Sequence, residues 1–252
     1  MRIPAPVREV AAGGLSGIVV GVIVGGLGSR LVMRVSAMAA DSFVQGVTTA
    51  NGNRVGEITL SGTIALIVFG GVFTGIFGGV LYAALRPWLA RFGRWRGLVF
   101  GLGLLGLVGS LILDEANSDF IILRPALLNV AMFASLFVIF GITLVPVFDR
   151  ALRFLDSGSL TASMLTTLGS LLAALVVGLG VIPSLTALGS SPTPVDMVRL
   201  LSVVVVVAGL AARLLSRDTM APPWAPTSYA VLAAAVLAGA ARTYSNVARI
   251  LS

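Results

Sequence analysis

Residues 13–29 read GGLSGIVVGVIVGGLGS, and this stretch decides the fold class of the chain. It contains no charged side chain and belongs to an uncharged run that begins at residue 10. A helix needs about 20 apolar residues to cross the hydrocarbon core of a bilayer. The stretch therefore predicts a transmembrane helix near the N-terminus.

Apolar runs of similar length recur along the rest of the chain. Of its 252 residues, 57% are hydrophobic and 11% are charged, whereas roughly a quarter are charged in a typical soluble domain. We predict an all-α, polytopic transmembrane helical bundle with about seven spans, at 10–33, 59–85, 97–113, 125–148, 163–186, 194–215 and 227–248. The last predicted helix is amphipathic at its end, so the alternative is six spans and a C-terminal helix in the membrane interface.

The distribution of arginine predicts how the chain is oriented. The connection 86–96 holds four arginines and no acid, and the turn 149–158 holds Arg150 and Arg153. Because basic residues collect in cytoplasmic loops, we predict a multi-pass cell-membrane protein with a cytoplasmic N-terminus. The connections 86–96 and 149–158 are then cytoplasmic, and segment 114–119 is external. This orientation accounts for the net charge of +7, so no nucleic-acid partner is predicted.

Glycines spaced four residues apart form the most specific pattern in the sequence. Residues at i and i+4 share a helix face, and glycine lets another backbone approach closely. One interpretation is packing among the first three helices of the chain, and the other is a contact face for another subunit. Two predicted spans carry such rows, namely Gly13, Gly17, Gly21 and Gly25 in the first and Gly71, Gly75 and Gly79 in the second.

A cluster of opposite charges is predicted at the outer membrane surface. Its members are Arg30, Arg34, Arg54, Asp114, Glu115, Asp119 and Arg124. We interpret the cluster as a network of interfacial ion pairs between short loops. A hard-cation site is one alternative, since carboxylate oxygens are the ligands that such cations prefer. A docking surface for a partner is the other.

The predicted cytoplasmic connection 86–96 combines cations with aromatic rings. Aromatic side chains are enriched at headgroup level, and each arginine near an anionic leaflet contributes about 1 kcal/mol of attraction. We therefore predict contact with membrane lipids, preferably anionic ones. The residues expected at the headgroups are Arg86, Trp88, Arg91, Arg94, Trp95 and Arg96.

Missing residue types narrow the chemistry available to the chain. Lysine, histidine and cysteine are absent, which removes Schiff-base, imidazole and thiolate chemistry. No predicted span has an ionisable group at its centre, where proton-coupled transporters often carry one. We expect no enzyme activity, no metal and no cofactor, and leave open a pigment or lipid held without histidine.

Composition also changes along the chain, since all 12 phenylalanines lie at or before Phe154. We predict a Gly- and Phe-rich four-helix sub-bundle over 1–156 and a Leu-, Val- and Ala-rich three-helix sub-bundle over 157–252. The expected function is a structural or accessory subunit of a larger membrane protein complex. The alternative is a channel or transporter for a small solute or ion, and an intramembrane enzyme ranks third.

Overall fold

The computed structural model describes residues 3–40, 59–113, 125–187, 204 and 225–251, and its regular structure within these ranges is helical throughout. Short 3₁₀ segments follow α2 at Ala90–Trp95 and α3 at Gly109–Leu111. The prediction of an all-α helical bundle is confirmed for this part of the chain. The helices are α1 (Ala5–Ala39), α2 (60–89), α3 (Arg96–Val108), α4 (Ala126–Leu155), α5 (Leu160–Ala187) and α6 (Ala225–Leu251).

Several helical stretches in the described ranges are long and apolar enough to cross a membrane. There are four of them, Ala5–Ala39, Leu60–Val108, Ala126–Leu155 and Leu160–Leu179. The second stretch is divided at Gly93, whose φ of 51° and ψ of −122° suit a residue without a Cβ atom. It therefore consists of the two helices α2 and α3. The total of seven spans stays a prediction, because nearly all of 194–215 lies outside the described residues.

The helix boundaries follow from local chemistry. Thr59 caps α2, with its hydroxyl accepting a hydrogen bond of 3.2 Å from the amide of Gly62. Ser159 caps α5 in the same way, at 3.1 Å from the amide of Ala162. Between α4 and α5 the chain turns at Gly158, whose φ is 69°. The turn at Gly158 and the cap at Ser159 make the connection between α4 and α5 short.

Helices α1 and α2 run antiparallel, with Gly13 against Gly79 near one end and Gly25 against Gly70 further along. Each helix contains a π-helical stretch, Gly21–Gly28 in α1 and Leu66–Phe73 in α2, and these two stretches contact each other. π-Helical stretches are rare and usually span a single turn. The apolar runs of the sequence gave no sign of them.

The remaining helices pack onto this pair or onto each other. Helix α4 runs antiparallel to α3, and α5 packs on α1. Helix α6 packs against α3, where Gly239 contacts Gly106 and the side-chain Nδ2 of Asn246 donates a 2.9 Å hydrogen bond to the carbonyl of Leu113. Because both positions advance by seven residues between these contacts, the two helices run parallel. The described part of α6 therefore lies along the bundle.

One continuous hydrophobic core joins the six helices described above. Its large buried side chains include Ile76, Tyr82 and Phe148, and α5 and α6 add the small side chains of Ala173 and Ala235. Helices α5 and α6 are thus each attached to the N-terminal helices. The predicted sub-bundle boundary at residue 157 stays a prediction, since 188–203 and 205–224 lie outside the described residues.

Candidate functional site

Charged side chains from four helices meet at one end of the bundle, which we call the charged end. Its members are Arg8 and Glu9 of α1, Arg86 of α2, Arg96 of α3, and Asp149 and Asp156 of α4. These residues belong to the segments that the arginine pattern assigns to the cytoplasm. The structure brings the segments together, while the compartment they face stays a prediction.

The best shielded ion pair of the charged end joins α1 to α2. The guanidinium of Arg86 donates a 2.9 Å hydrogen bond to the carboxylate of Glu9, whose side chain is only 13% exposed. The same guanidinium lies over the ring of Phe148, 5.6 Å from its centroid. A cation near an aromatic face is attracted by the quadrupole of the ring. Arg86 therefore connects α1, α2 and α4.

A second ion pair, between Arg96 and Asp149, joins α3 to α4 and is also partly buried. Beside it lies Tyr82, which is fully buried and makes edge-to-face contacts with Phe100 at 5.2 Å and Phe148 at 5.0 Å. Its hydroxyl has no hydrogen-bond partner among the described residues. The aromatic cluster holds the two helix pairs together just inside the charged end.

The third ion pair is more exposed. The guanidinium Nε of Arg8 lies 2.9 Å from a carboxylate oxygen of Asp156, whose side chain is 47% exposed. This pair connects the start of α1 to the end of α4. All three carboxylates in the described part of the chain, on Glu9, Asp149 and Asp156, are therefore engaged by arginine.

The structure divides the six residues predicted at the lipid headgroups. Arg86 and Arg96 form the ion pairs described above, and Trp88 is buried at 8% exposure against the bundle. Trp88 thus packs against the bundle, and its contact with headgroups stays a prediction. Trp88 lines an apolar crevice together with side chains of α3 such as Phe100 and Leu104.

Three of the six predicted headgroup residues do lie at the surface. Arg91, Arg94 and Trp95 are exposed on the 3₁₀ turn that joins α2 to α3. The guanidinium of Arg91 lies 5.0 Å from the ring centroid of Phe92, and that of Arg94 lies 5.1 Å from that of Trp95. The turn thus presents two cations, each stacked on an aromatic ring.

The predicted glycine rows lie against each other inside the chain. A Cβ atom built on Gly13 would lie 2.5 Å from the carbonyl oxygen of Gly79, and one on Gly21 would lie 2.7 Å from the α-carbon of Gly75. Real Cβ atoms essentially never come so close to other atoms. Gly17, Gly25 and Gly71 lie in the same interface. This face is therefore occupied by the chain itself.

Glycines also mediate helix contacts beyond the two predicted rows. A Cβ atom on Gly101 of α3 would lie 2.7 Å from the carbonyl oxygen of Phe137 in α4, and Gly97 packs against Gly141 in the same interface. Gly169 of α5 packs on Ala11 of α1, with a built Cβ 2.9 Å from the carbonyl oxygen. The four-residue spacing of Gly97 and Gly101 was the one signal in the sequence, because α4 carries a single glycine and Gly169 has no second glycine four residues away in α5.

Little of the predicted outer charge cluster falls on described residues. Arg30 donates a 3.4 Å hydrogen bond to the carbonyl of Thr59 at the start of α2, and Arg34 is exposed. The other members, Arg54, Asp114, Glu115, Asp119 and Arg124, lie outside the described residues. The ion-pair, cation-site and docking interpretations of this cluster all stay predictions.

Helix α5 presents an apolar seam on the side that faces away from α1. Its buried face carries small residues such as Ala162, Gly169 and Ala173. The opposite face carries large exposed side chains at intervals of four, four, three, four and four residues. We call this set the α5 seam, and its members are Leu160, Met164, Leu168, Leu171, Leu175 and Leu179.

Within the described ranges, no three histidine, cysteine, aspartate or glutamate side chains come together as a metal site would require. The absence of a metal or cofactor stays an expectation. No family model, curated protein or solved structure matches this chain.

Proposed function

We propose that the chain is a non-enzymatic integral membrane protein that serves as a structural or accessory subunit of a larger membrane protein assembly. It resides in the cell membrane with its charged end toward the cytoplasm. The observation that carries the proposal is the α5 seam, an exposed row of large apolar side chains on a helix whose other face is already packed.

The spacing of the α5 seam suits contact with another helix. Its steps of four, four, three, four and four residues repeat every 11 residues, which keeps the row on one face of the helix and favours a right-handed crossing with a facing helix. Right-handed crossings are common between transmembrane helices. The occupant that fits is a transmembrane helix of a partner subunit.

The packing of the interior supports a structural role more than transport. Helices α1 and α2 meet backbone to backbone, and so do α3 and α4, through glycines such as Gly75 and Gly101. Such contacts leave no side-chain-lined path between the helices of each pair. The main chain fills these interfaces, as expected of a rigid scaffold.

The state of the three carboxylates in the described part of the chain supports a non-enzymatic role. General acid or base catalysis needs a titratable group that can reach the substrate. The carboxylates of Glu9, Asp149 and Asp156 are each held by an arginine of a neighbouring helix. Their positions tie helix ends together, which is a structural use of charge.

Affinity purification from the native membrane tests the proposed role of the α5 seam. A tagged chain should retain its partner subunits in mild detergent. The double variant Leu168→Ala, Leu175→Ala should lose them while keeping its own thermal stability. A matched control, Ile139→Ala with Ile142→Ala, removes similar apolar volume from exposed positions of α4 and should retain them. Equal retention by both variants would refute the seam as the partner surface.

A channel or transporter for a small solute or ion is the second candidate, and one observation favours it. A cavity of about 260 Å³ lies between α1, α2 and α5, lined by Glu9, Val80, Ala83, Ser170 and Ala173 among others. It occupies the gap between the two predicted sub-bundles near the charged end. Solute or ion flux into liposomes that contain the purified chain would establish this function.

A further inference from the structure

A second crevice, of about 370 Å³, lies between α2, α3 and α6. Its walls are apolar and include Leu85 and Trp88 of α2, Phe100 of α3 and Val236 of α6. A volume of this size is within the usual range of about 300–1,000 Å³ for sites that hold small ligands. The crevice does not belong to the ion-paired charged end or to the α5 seam.

The shape of the crevice suits a narrow apolar chain. Its lining residues on α3 extend from Val99 to Leu107, a rise of about 12 Å at 1.5 Å per residue. The lining residues Phe92 and Leu102 are 38% and 50% exposed, so the crevice opens sideways to the surroundings of the bundle. An apolar chain can therefore enter it from the bilayer.

Gly103 leaves open space in the wall of this crevice. Unlike Gly101, which contacts the backbone of α4, Gly103 has no atom within 4 Å of the position where a Cβ would sit. Its lack of a side chain is therefore not required by helix packing. The glycine instead widens the crevice.

The polar end of the crevice carries positive charge. Arg91 is the charged residue among its lining side chains, and it lies on the exposed turn that also presents Arg94. Arg91 and Arg94 are both exposed, whereas Arg86 and Arg96 extend into the bundle toward the carboxylates of α1 and α4. The turn therefore offers cations at the level where a lipid phosphate would lie.

We propose that this crevice binds one acyl chain of an anionic phospholipid, with the headgroup phosphate beside Arg91 and Arg94. The inference rests on the membrane location given under the proposed function. Of the six residues predicted at the headgroups, the proposal keeps Arg91 and Arg94 as the phosphate contacts. It places the acyl chain in the crevice. Trp88 then lines the acyl-chain site and does not contact headgroups.

Quenching of Trp88 by brominated lipids tests the site directly. The buried indole of Trp88 lines the crevice, so a bromine atom reaches it when a brominated chain enters. The probe is a Trp95→Phe, Trp224→Phe chain in phosphatidylcholine vesicles with a small fraction of brominated phosphatidylglycerol or, for comparison, brominated phosphatidylcholine. We expect stronger quenching by the anionic lipid, and Arg91→Gln or Arg94→Gln should each lower its relative affinity about fivefold.

Two further variants separate binding in the crevice from general contact with lipid. Gly103→Leu should fill the crevice and remove the selective quenching without lowering thermal stability. Gly178→Leu, at another glycine with open space around it, should leave the quenching unchanged. Ala233→Leu on the α6 wall repeats the blocking test at an exposed position, independently of Gly103.

The outcomes distinguish the lipid site from the membrane location. Equal quenching by both brominated lipids, or quenching that survives both blocking variants, overturns the lipid site and leaves the membrane location intact. Failure of the chain to insert into vesicles of either composition overturns both.

Discussion

The α-carbon of Gly21 lies 2.7 Å from the point where a Cβ atom on Gly75 would sit. A side chain at position 75 is therefore incompatible with the present distance between α1 and α2. Close backbone approach increases van der Waals contact, which is a main source of helix association in lipid, where the hydrophobic effect no longer drives helices together. The stability of this bundle should depend on such glycines more than on its large side chains.

Gly75→Ala should lower the stability of the protein, because the added methyl group forces α1 and α2 apart. Overpacking of this kind typically costs about 1–3 kcal/mol. Gly103→Ala is the matched control, since it adds the same methyl group where no atom lies within 4 Å. Thermal unfolding in detergent should give a lower midpoint for the first variant and an unchanged midpoint for the second. Equal midpoints would contradict the packing described for α1 and α2.

The ion pairs of the charged end should differ in strength according to their exposure. Glu9→Gln should lower the free energy of unfolding by more than the roughly 0–1 kcal/mol typical of exposed pairs, because it leaves the charged Arg86 opposite a neutral amide in a shielded site. Asp156→Asn removes the more exposed partner of Arg8, so the loss in free energy of unfolding should stay within the range typical of exposed pairs. Chemical denaturation of both variants measures the difference, and a larger loss for Asp156→Asn would be inconsistent with the exposures of the two carboxylates.

Exchanging the charges of Glu9 and Arg86 tests independently whether these two residues interact. The double variant Glu9→Arg, Arg86→Glu should recover part of the stability that either single substitution loses. The recovery is expected to be partial, since a glutamate at position 86 gives up the contact between Arg86 and Phe148. A double variant as unstable as the sum of the two single variants would show that the two residues do not interact.

Membrane orientation can be tested on a chain that has no cysteine of its own. Cysteines introduced at Trp95 and Ser157, both exposed at the charged end, should react with an impermeant thiol reagent from the same side of the membrane. A cysteine at Ser118, in the predicted external segment, should react from the opposite side. Labelling of all three from one side would overturn the predicted topology.

The parallel packing of α6 on α3 predicts which positions can be cross-linked. A Cβ atom on Gly109 would lie 3.2 Å from the side-chain atoms of Thr243, so cysteines at these two positions should form a disulfide on oxidation. Cysteines at Gly109 and Tyr244 are the control, because Tyr244 is 76% exposed. Protection from a maleimide reagent should occur in the first pair alone. If α6 lay in the membrane interface, neither pair would be protected.

The helical class and several helix boundaries could be predicted because they depend on local sequence. An uncharged run such as 10–28 predicts a helix without reference to the rest of the chain. The end of α4 and the start of α5 were also predictable near residue 157, since Gly158 and Ser159 are residues that turns and helix caps favour.

The candidate site was less predictable because its contacts join residues that are distant in sequence. Arg86 binds Glu9 from 77 positions away, and Arg96 binds Asp149 from 53 positions away. A segment with no acid in its own sequence therefore suggested four lipid-facing arginines, two of which are paired across the bundle. Gly141 was overlooked for a related reason, since a lone glycine shows no periodicity until its partner helix is known.

Native mass spectrometry of the protein, extracted in mild detergent from its own membrane, tests the proposed function most directly. A structural or accessory subunit should appear together with other membrane proteins in a fixed stoichiometry. Raising the collision energy should then release the intact chain from that assembly. Recovery of the chain solely as a monomer or homo-oligomer would contradict the proposal and favour the channel or transporter instead.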